Sequence, residues 1–135
     1  FALTLSEWRG PDRQPIPLAP VAAVASVTLR DAAGASTVAP ASLWILDPDA
    51  HRPALQARGA ALPAIPAQGS ATVVFDAGYG ADWSAVPPDL AQAALMLAAH
   101  YHDHRDNTAL GPGCMPFGVS ALIERYRPLR LGASA

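Results

Sequence analysis

The sequence predicts an α+β fold: a small, mainly antiparallel β-sheet half, followed by two C-terminal helices and an extended tail. Three observations predict it. Short apolar runs, some alternating with period two, fill the first 80 residues; most of the fourteen prolines fall by Pro88; beyond Pro88 apolar residues recur at helical steps. Interior proline is poorly tolerated in a long helix, because its ring removes an amide donor and collides with the preceding turn. By length the chain is one domain, 1–135, with a β-rich part at 1–80, a helical part at 86–127 and a tail at 128–135.

The elements follow in order. Phe1-Ala-Leu3-Thr-Leu5 alternates apolar with small or polar residues, and Val24 to Leu29 is rich in β-branched residues, so both read as strands. Asp31-Ala-Ala-Gly34 is a turn, with Ser36-Thr-Val38 as the returning arm of a hairpin. Leu43 to Leu46 and Ala71 to Phe75 are short apolar runs bounded by turn signals, and the Pro-containing tract 60–69 is an irregular connection. Val86-Pro-Pro-Asp89 opens a helix near 87–105, since proline fits the first turn and Asp89 complements the positive end of the dipole. Leu90, Ala94, Leu97, Tyr101 and His104 fall on one face of it. A Gly- and Pro-containing break at 107–116 separates a second helix near 117–127, in which Val119, Leu122, Ile123 and Tyr126 recur at helical spacing until Pro128. The two helices are expected to pack through Leu90, Leu97, Tyr101, Val119, Leu122 and Tyr126.

Composition excludes several classes. With 51% apolar and 15% charged residues the chain is globular and not disordered. No apolar run approaches the length of a membrane-spanning helix, and a formal net charge of -2 gives no basic footprint for nucleic acid. All nine basic residues are arginine, and the single Cys114 permits no internal disulfide and suits a reducing compartment. The sequence begins without Met or a charged-then-apolar leader, which reads as a truncation point and not a signal peptide.

Three of the four histidines lie in His100-Tyr-His102-Asp103-His104. On a helix, His100 and His104 are about 40° apart around the axis, close enough to share a metal, whereas His102 lies about 160° from both. A two-histidine site needs Asp103 or a distant residue such as His51 to complete it, and no Glu stands between His100 and His104 as the base of an HExxH arrangement. The plainer reading is a helix C-terminus whose imidazoles suit the last carbonyls and the dipole. No metal and no cofactor is therefore expected.

Other constellations are weaker. Ser120 lacks the second glycine of a nucleophile elbow, Gly78-Tyr79-Gly80 lacks the third glycine of a dinucleotide fingerprint, and Cys114 has no adjacent His or Lys to depress its pKa. Trp8, Trp44 and Trp83 are spread through the chain as core or interface anchors. Two rival readings stay open beside a structural role: a small metal-dependent enzyme using His100 and His104, and a β-rich carbohydrate- or peptide-binding module using an exposed tryptophan.

In four segments in the same order, the chain resembles the head-tail connector (adaptor) proteins of long-tailed phages and gene transfer agents. They are Leu3-Thr-Leu5-Ser-Glu-Trp8 with the run from Ile16-Pro-Leu18 to Asp31; Asp76-Ala-Gly78-Tyr79-Gly80; Val86-Pro-Pro-Asp89-Leu90 through Ala99-His100 to Arg105; and Pro116-Phe-Gly118-Val119 through Tyr126-Arg127 to Arg130-Leu131. The family's opening helical segment would precede Phe1 and is expected to be absent here. The resemblance implies a non-enzymatic subunit of a ring of about a dozen copies, closed by head-to-tail contacts. Its implied partners are the portal protein, neighbouring subunits and a tail-side stopper or tail terminator protein, with DNA passing through the channel without sequence-specific binding and no membrane involved. Its implied location is the neck of a virion or phage-like particle, assembled in the bacterial cytoplasm.

The tail carries the candidate contact residues. Pro128 cannot continue a helix, so Leu129 and Leu131 fall on one side of an extended segment and Arg130 on the other. Alternating leucines fit apolar pockets, and Arg127 and Arg130 suit bidentate contact with carboxylates. Arg125, Tyr126, Arg127, Leu129, Arg130 and Leu131 are accordingly expected to meet the portal or a neighbouring subunit, a partner assigned by the resemblance.

Overall fold

The computed structural model of the protein describes residues 1–105 and 115–127. The chain divides into two compact units, Phe1–Gly78 and Tyr79–Ala135.

The first unit contains seven strands in two antiparallel sheets. One sheet has the order β1 (Ala2–Leu5), β7 (Ser70–Ala77), β3 (Val21–Arg30), β4 (Ser36–Val38); the other has the order β2 (Arg13–Pro15), β6 (Ala54–Ala57), β5 (Trp44–Asp47). Along β7 the alternation is strict where it matters: Ala71, Val73 and Phe75 are buried, while Thr72, Val74 and Asp76 are not. Val27, Val73 and Phe75 from the larger sheet join Trp44 and Leu55 from the smaller in one core, with Ile16 and Leu62 contributed by connections. Each sheet thus buries one face against the other, the condition for a stable two-layer unit.

The hairpin between β3 and β4 forms where the turn residues predict it. Asp31 Oδ1 accepts the Ala35 N–H at 2.9 Å, the Gly34 N–H donates to the Asp31 carbonyl, and Gly34 sits at φ +90°, a conformation open to glycine because it has no Cβ. Gly69 is needed for a different reason. A Cβ there would run into the Arg30 and Pro66 carbonyl oxygens, so only glycine lets the chain enter β7 beside the end of β3.

Two strands, β2 and β6, lie outside the sequence expectation, and with β5 they form a second sheet where one was predicted. β2, Arg13-Gln14-Pro15, is polar and ends in proline, yet Gln14 is buried with its amide used: Oε1 accepts the Arg9 N–H at 2.9 Å and Nε2 donates to the Pro15 carbonyl at 2.8 Å. The bonded amide removes the penalty for burying a polar group. Arg13 pairs with Asp47 of β5 at 2.9 Å.

The second unit contains α1 (Pro88–Asp103) and α2 (Phe117–Ile123), the latter continued by a 3-10 turn at Glu124–Tyr126. Gly118 faces the Met96 methyl, and Arg125 and Tyr126 reach Asp89 at the start of α1, so α2 runs back antiparallel along α1. Val119 is buried and Leu122, Ile123 and Tyr126 are half-buried, as their spacing predicts. The inward stripe of α1 differs from the expected one. Ala93 is its one buried residue, flanked by half-buried Leu90, Met96, Leu97 and His100, while Ala94, Tyr101 and His104 are exposed, Tyr101 by 60%. The stripe is rotated by about 60° from the expected face, because alanines surround the helix and give the pattern little contrast. Among the described residues no helix is long and apolar enough to cross a membrane.

Candidate docking site at the end of the helical unit

Sequence reasoning placed the contact residues at the C-terminal end of the helical part, and the structure places the first three there. Arg125 and Tyr126 belong to the 3-10 turn after α2, and Arg127 follows with extended backbone at φ -81°, ψ 124°. Leu129, Arg130 and Leu131 lie outside the described residues.

Arg125 and Tyr126 converge on Asp89, which sits in the first turn of α1. The Tyr126 hydroxyl donates to Asp89 Oδ1 at 2.9 Å, and Arg125 Nη1 donates to Oδ2 at 3.0 Å. Both carboxylate oxygens are therefore engaged, near the end of the helix where backbone N–H groups favour a negative charge. The Tyr126 hydrogen bond, with a backbone amide and the Arg125 charge behind it, holds the Asp89 carboxyl below its ordinary value of 3.8. Partial burial, then the Asp89 bond, pushes the Tyr126 hydroxyl above its ordinary 10.0. The Tyr126 ring also meets Tyr79 edge-on at 6.4 Å, and the Arg125 guanidinium lies 5.5 Å from the Tyr126 ring centre. The arrangement can hold the end of the 3-10 turn against the start of α1; nothing in it activates a nucleophile or moves a proton.

Arg125 keeps 73% of its side-chain surface exposed although it is paired, and Arg127 is exposed beside it. The end of the unit thus presents a fixed anchor with guanidinium surface still open to a partner. Sequence reasoning missed Asp89 as the anchor, reading it only as a dipole partner; the available signal was an acid in a helix's first turn followed by an Arg-Tyr pair at the end of an antiparallel neighbour.

The histidines are used in another way. The His100 and His104 rings lie with centres 4.4 Å apart, tilted by 37°, and His104 Nδ1 lies 2.9 Å from the His100 carbonyl oxygen. His102 points elsewhere, with Asp103 at 3.6 Å and Arg105 at 3.4 Å. Among the described residues no group of three or more His, Cys, Asp or Glu side chains is placed to hold a metal ion. Trp8 donates to the Pro63 carbonyl at 2.8 Å against the core and Trp44 is buried within it, so of the three tryptophans only Trp83 is largely exposed. Neither the metal-enzyme reading nor the tryptophan-platform reading gains support. Cys114 lies outside the described residues.

No family model matches the chain, and no curated protein matches it. Solved structures do. The chain is 49% identical to, and superposes with a TM-score of 0.86 on, a chain in the neck of an empty gene transfer agent (GTA) particle computed with C6 symmetry, covering 98% of this chain and 67% of that one. It is equally similar, at 49% identity and TM-score 0.86, to a chain in the neck of a native GTA particle computed with C12 symmetry, covering 98% and 71%. A third match, at 49% identity and TM-score 0.85, is a chain in the virion of a native gene transfer agent particle, covering 98% and 66%.

Proposed function

Because the chain belongs to the head-tail connector (adaptor) family of long-tailed phages and gene transfer agents, we propose that it forms an adaptor ring joining the portal to the tail and extending the DNA channel. The protein is a structural component of a particle neck, and the observation that carries this is 49% identity over 98% of the chain with a neck protein. The sites support a role in holding and docking and not in catalysis. Asp89 ties the 3-10 turn after α2 to the start of α1, through Arg125 and Tyr126. From that turn Arg127, Leu129, Arg130 and Leu131 would reach the portal, with the exposed part of Arg125 beside them.

The reading has neighbouring subunits on both sides in a closed head-to-tail ring, a stopper or terminator protein on the tail side, and assembly in the bacterial cytoplasm. DNA would pass through the channel without sequence-specific contact. The test is to mix the full chain with portal rings and measure sedimentation and mass. Stoichiometric binding as a ring supports the reading, and a chain that stays monomeric and unbound beside intact portal rings overturns it.

A further inference from the structure

A ring closed by head-to-tail contacts requires two different surfaces on each subunit that fit one another. The larger sheet ends in two different edges. Its outer strands are β1 and β4, and neither β1, Ala-Leu-Thr-Leu, nor β4, Ser-Thr-Val, contains a charge or a proline. Free edges are ordinarily guarded by charge, proline or a bulge, because a row of unpaired amides and carbonyls invites another strand.

The outward groups of the two edges can be assigned. Phe1 and Phe75 exchange both backbone bonds, at 2.9 and 3.0 Å, so by alternation Leu3 and Leu5 also bond inward to β7 while Ala2 and Thr4 direct their N–H and C=O outward. On the other edge the Ala39 N–H donates to the Val27 carbonyl and the Asp31 N–H to the Ala35 carbonyl. Thr37 therefore bonds inward to β3, and Ser36 and Val38 direct their groups outward.

Three conditions for joining these edges are met together. Direction is the first: every neighbouring pair in the order β1, β7, β3, β4 is antiparallel, so a second copy's β1 placed beside β4 in the same sense runs antiparallel to it. Phase is the second, since opposing Ala2 to Val38 sets Thr4 opposite Ser36, and all four residues have outward-facing backbone groups. Face is the third: Thr4 pairs with Thr72, Thr72 with Thr28 and Thr28 with Val38, so Thr4 and Val38 share one face of the sheet and the sheet continues without inversion.

We propose that β1 of one subunit adds to β4 of the next, in the register Ala2 to Val38 and Thr4 to Ser36, so that the larger sheet runs from copy to copy around the ring. The inference rests on the ring reading above and identifies the occupant of each edge as a second copy of this chain. Ala2, Thr4, Ser36 and Val38 are all exposed, Val38 by 64%, so the contact needs no rearrangement of the core.

The test is disulfide trapping in rings assembled on the portal. In a Cys114→Ser background, Ala2→Cys with Val38→Cys forms one pair and Thr4→Cys with Ser36→Cys a second; hydrogen-bonded antiparallel partners are about 5.5 Å apart at Cα, within disulfide reach. Oxidation is expected to convert the monomer band of either pair into a ladder of covalent oligomers. Each single-cysteine variant, and the out-of-register pair Ala2→Cys with Ser36→Cys, should remain monomeric on a denaturing gel. Rings that form normally and yield no ladder from either pair overturn the shared sheet and leave the adaptor reading standing. Failure of the unsubstituted chain to form a ring overturns that reading, and this inference with it.

Discussion

Tyr126 donates its hydroxyl to Asp89 Oδ1 at 2.9 Å while Arg125 occupies Oδ2 at 3.0 Å, joining the end of the second helix to the start of the first. Because the folded state lowers the Asp89 pKa, its stabilisation is present above pH 3.8 and is lost as the pH falls through the lower folded value. Tyr126 has the opposite sign: its folded pKa is raised, so its contribution is present below pH 10.0 and is lost as the pH rises through the higher folded value. Tyr126→Phe should lower the thermal midpoint of the helical unit by a few degrees at neutral pH. Asp89→Asn should flatten the acid limb of the stability curve, and an acid limb identical to that of the unsubstituted chain would count against the anchor.

Gly69 and Gly118 are both crowded, and they should respond differently to alanine. At Gly69 the added Cβ meets two backbone carbonyl oxygens, which move only with their strand and turn, so Gly69→Ala should destabilise by about 2 to 4 kcal/mol. At Gly118 it meets the Met96 methyl, the free end of a flexible side chain, while alanine favours the helix; the net change should stay within about 0.5 kcal/mol. Chemical denaturation of the two variants decides the matter.

His102→Ala should leave stability within about 0.5 kcal/mol, because its side chain is largely exposed. His100 Nε2, by contrast, is buried without a hydrogen-bond partner among the described residues. His100→Leu keeps the volume and removes the unpaired nitrogen, so it should be neutral or stabilising by up to about 1 kcal/mol. A strongly destabilised His100→Leu chain would mean that Nε2 is in use.

Deleting residues 128–135 should leave the thermal midpoint almost unchanged and abolish co-sedimentation with portal rings. Retained co-sedimentation would remove the tail from the docking site and leave Arg125 and Arg127 to carry it.

Where the chain's own periodicity carried the structure, it was legible in the residues. β1, β4, β5 and β7 were expected where they occur, and β3 was expected in part: it begins at Val21, earlier than its β-branched run, with two irregularities in its pairing to β7. β2 and β6 were not legible, because Arg13-Gln14-Pro15 and Ala54-Leu55-Gln56-Ala57 are strands through their partners and not through their composition. The first helix was found and its face misjudged, since Ala91, Ala93, Ala94, Ala98 and Ala99 are interchangeable to a pattern and distinct to a packed neighbour. The Asp89 anchor links residues 37 positions apart, and helical spacing alone does not encode which distant side chains meet.

The pairing of Ala2 with Val74 sets an order of events during synthesis. β1 leaves the ribosome before the other strands of its unit, and its partner β7 leaves after them. At about 5 to 20 residues per second, β1 spends seconds outside the tunnel before it has a strand to lie against. The same delay governs β3, whose long ladder is also with β7. Until residue 77 has emerged, the first unit has only the short ladders among β2 to β6, and its largest sheet cannot close. Folding of that unit is thus dominated by distant contacts, a topology associated with slow rates. A nascent chain is most open to mispairing with its neighbours on the same message during this interval, before the sheet that makes it a building block exists.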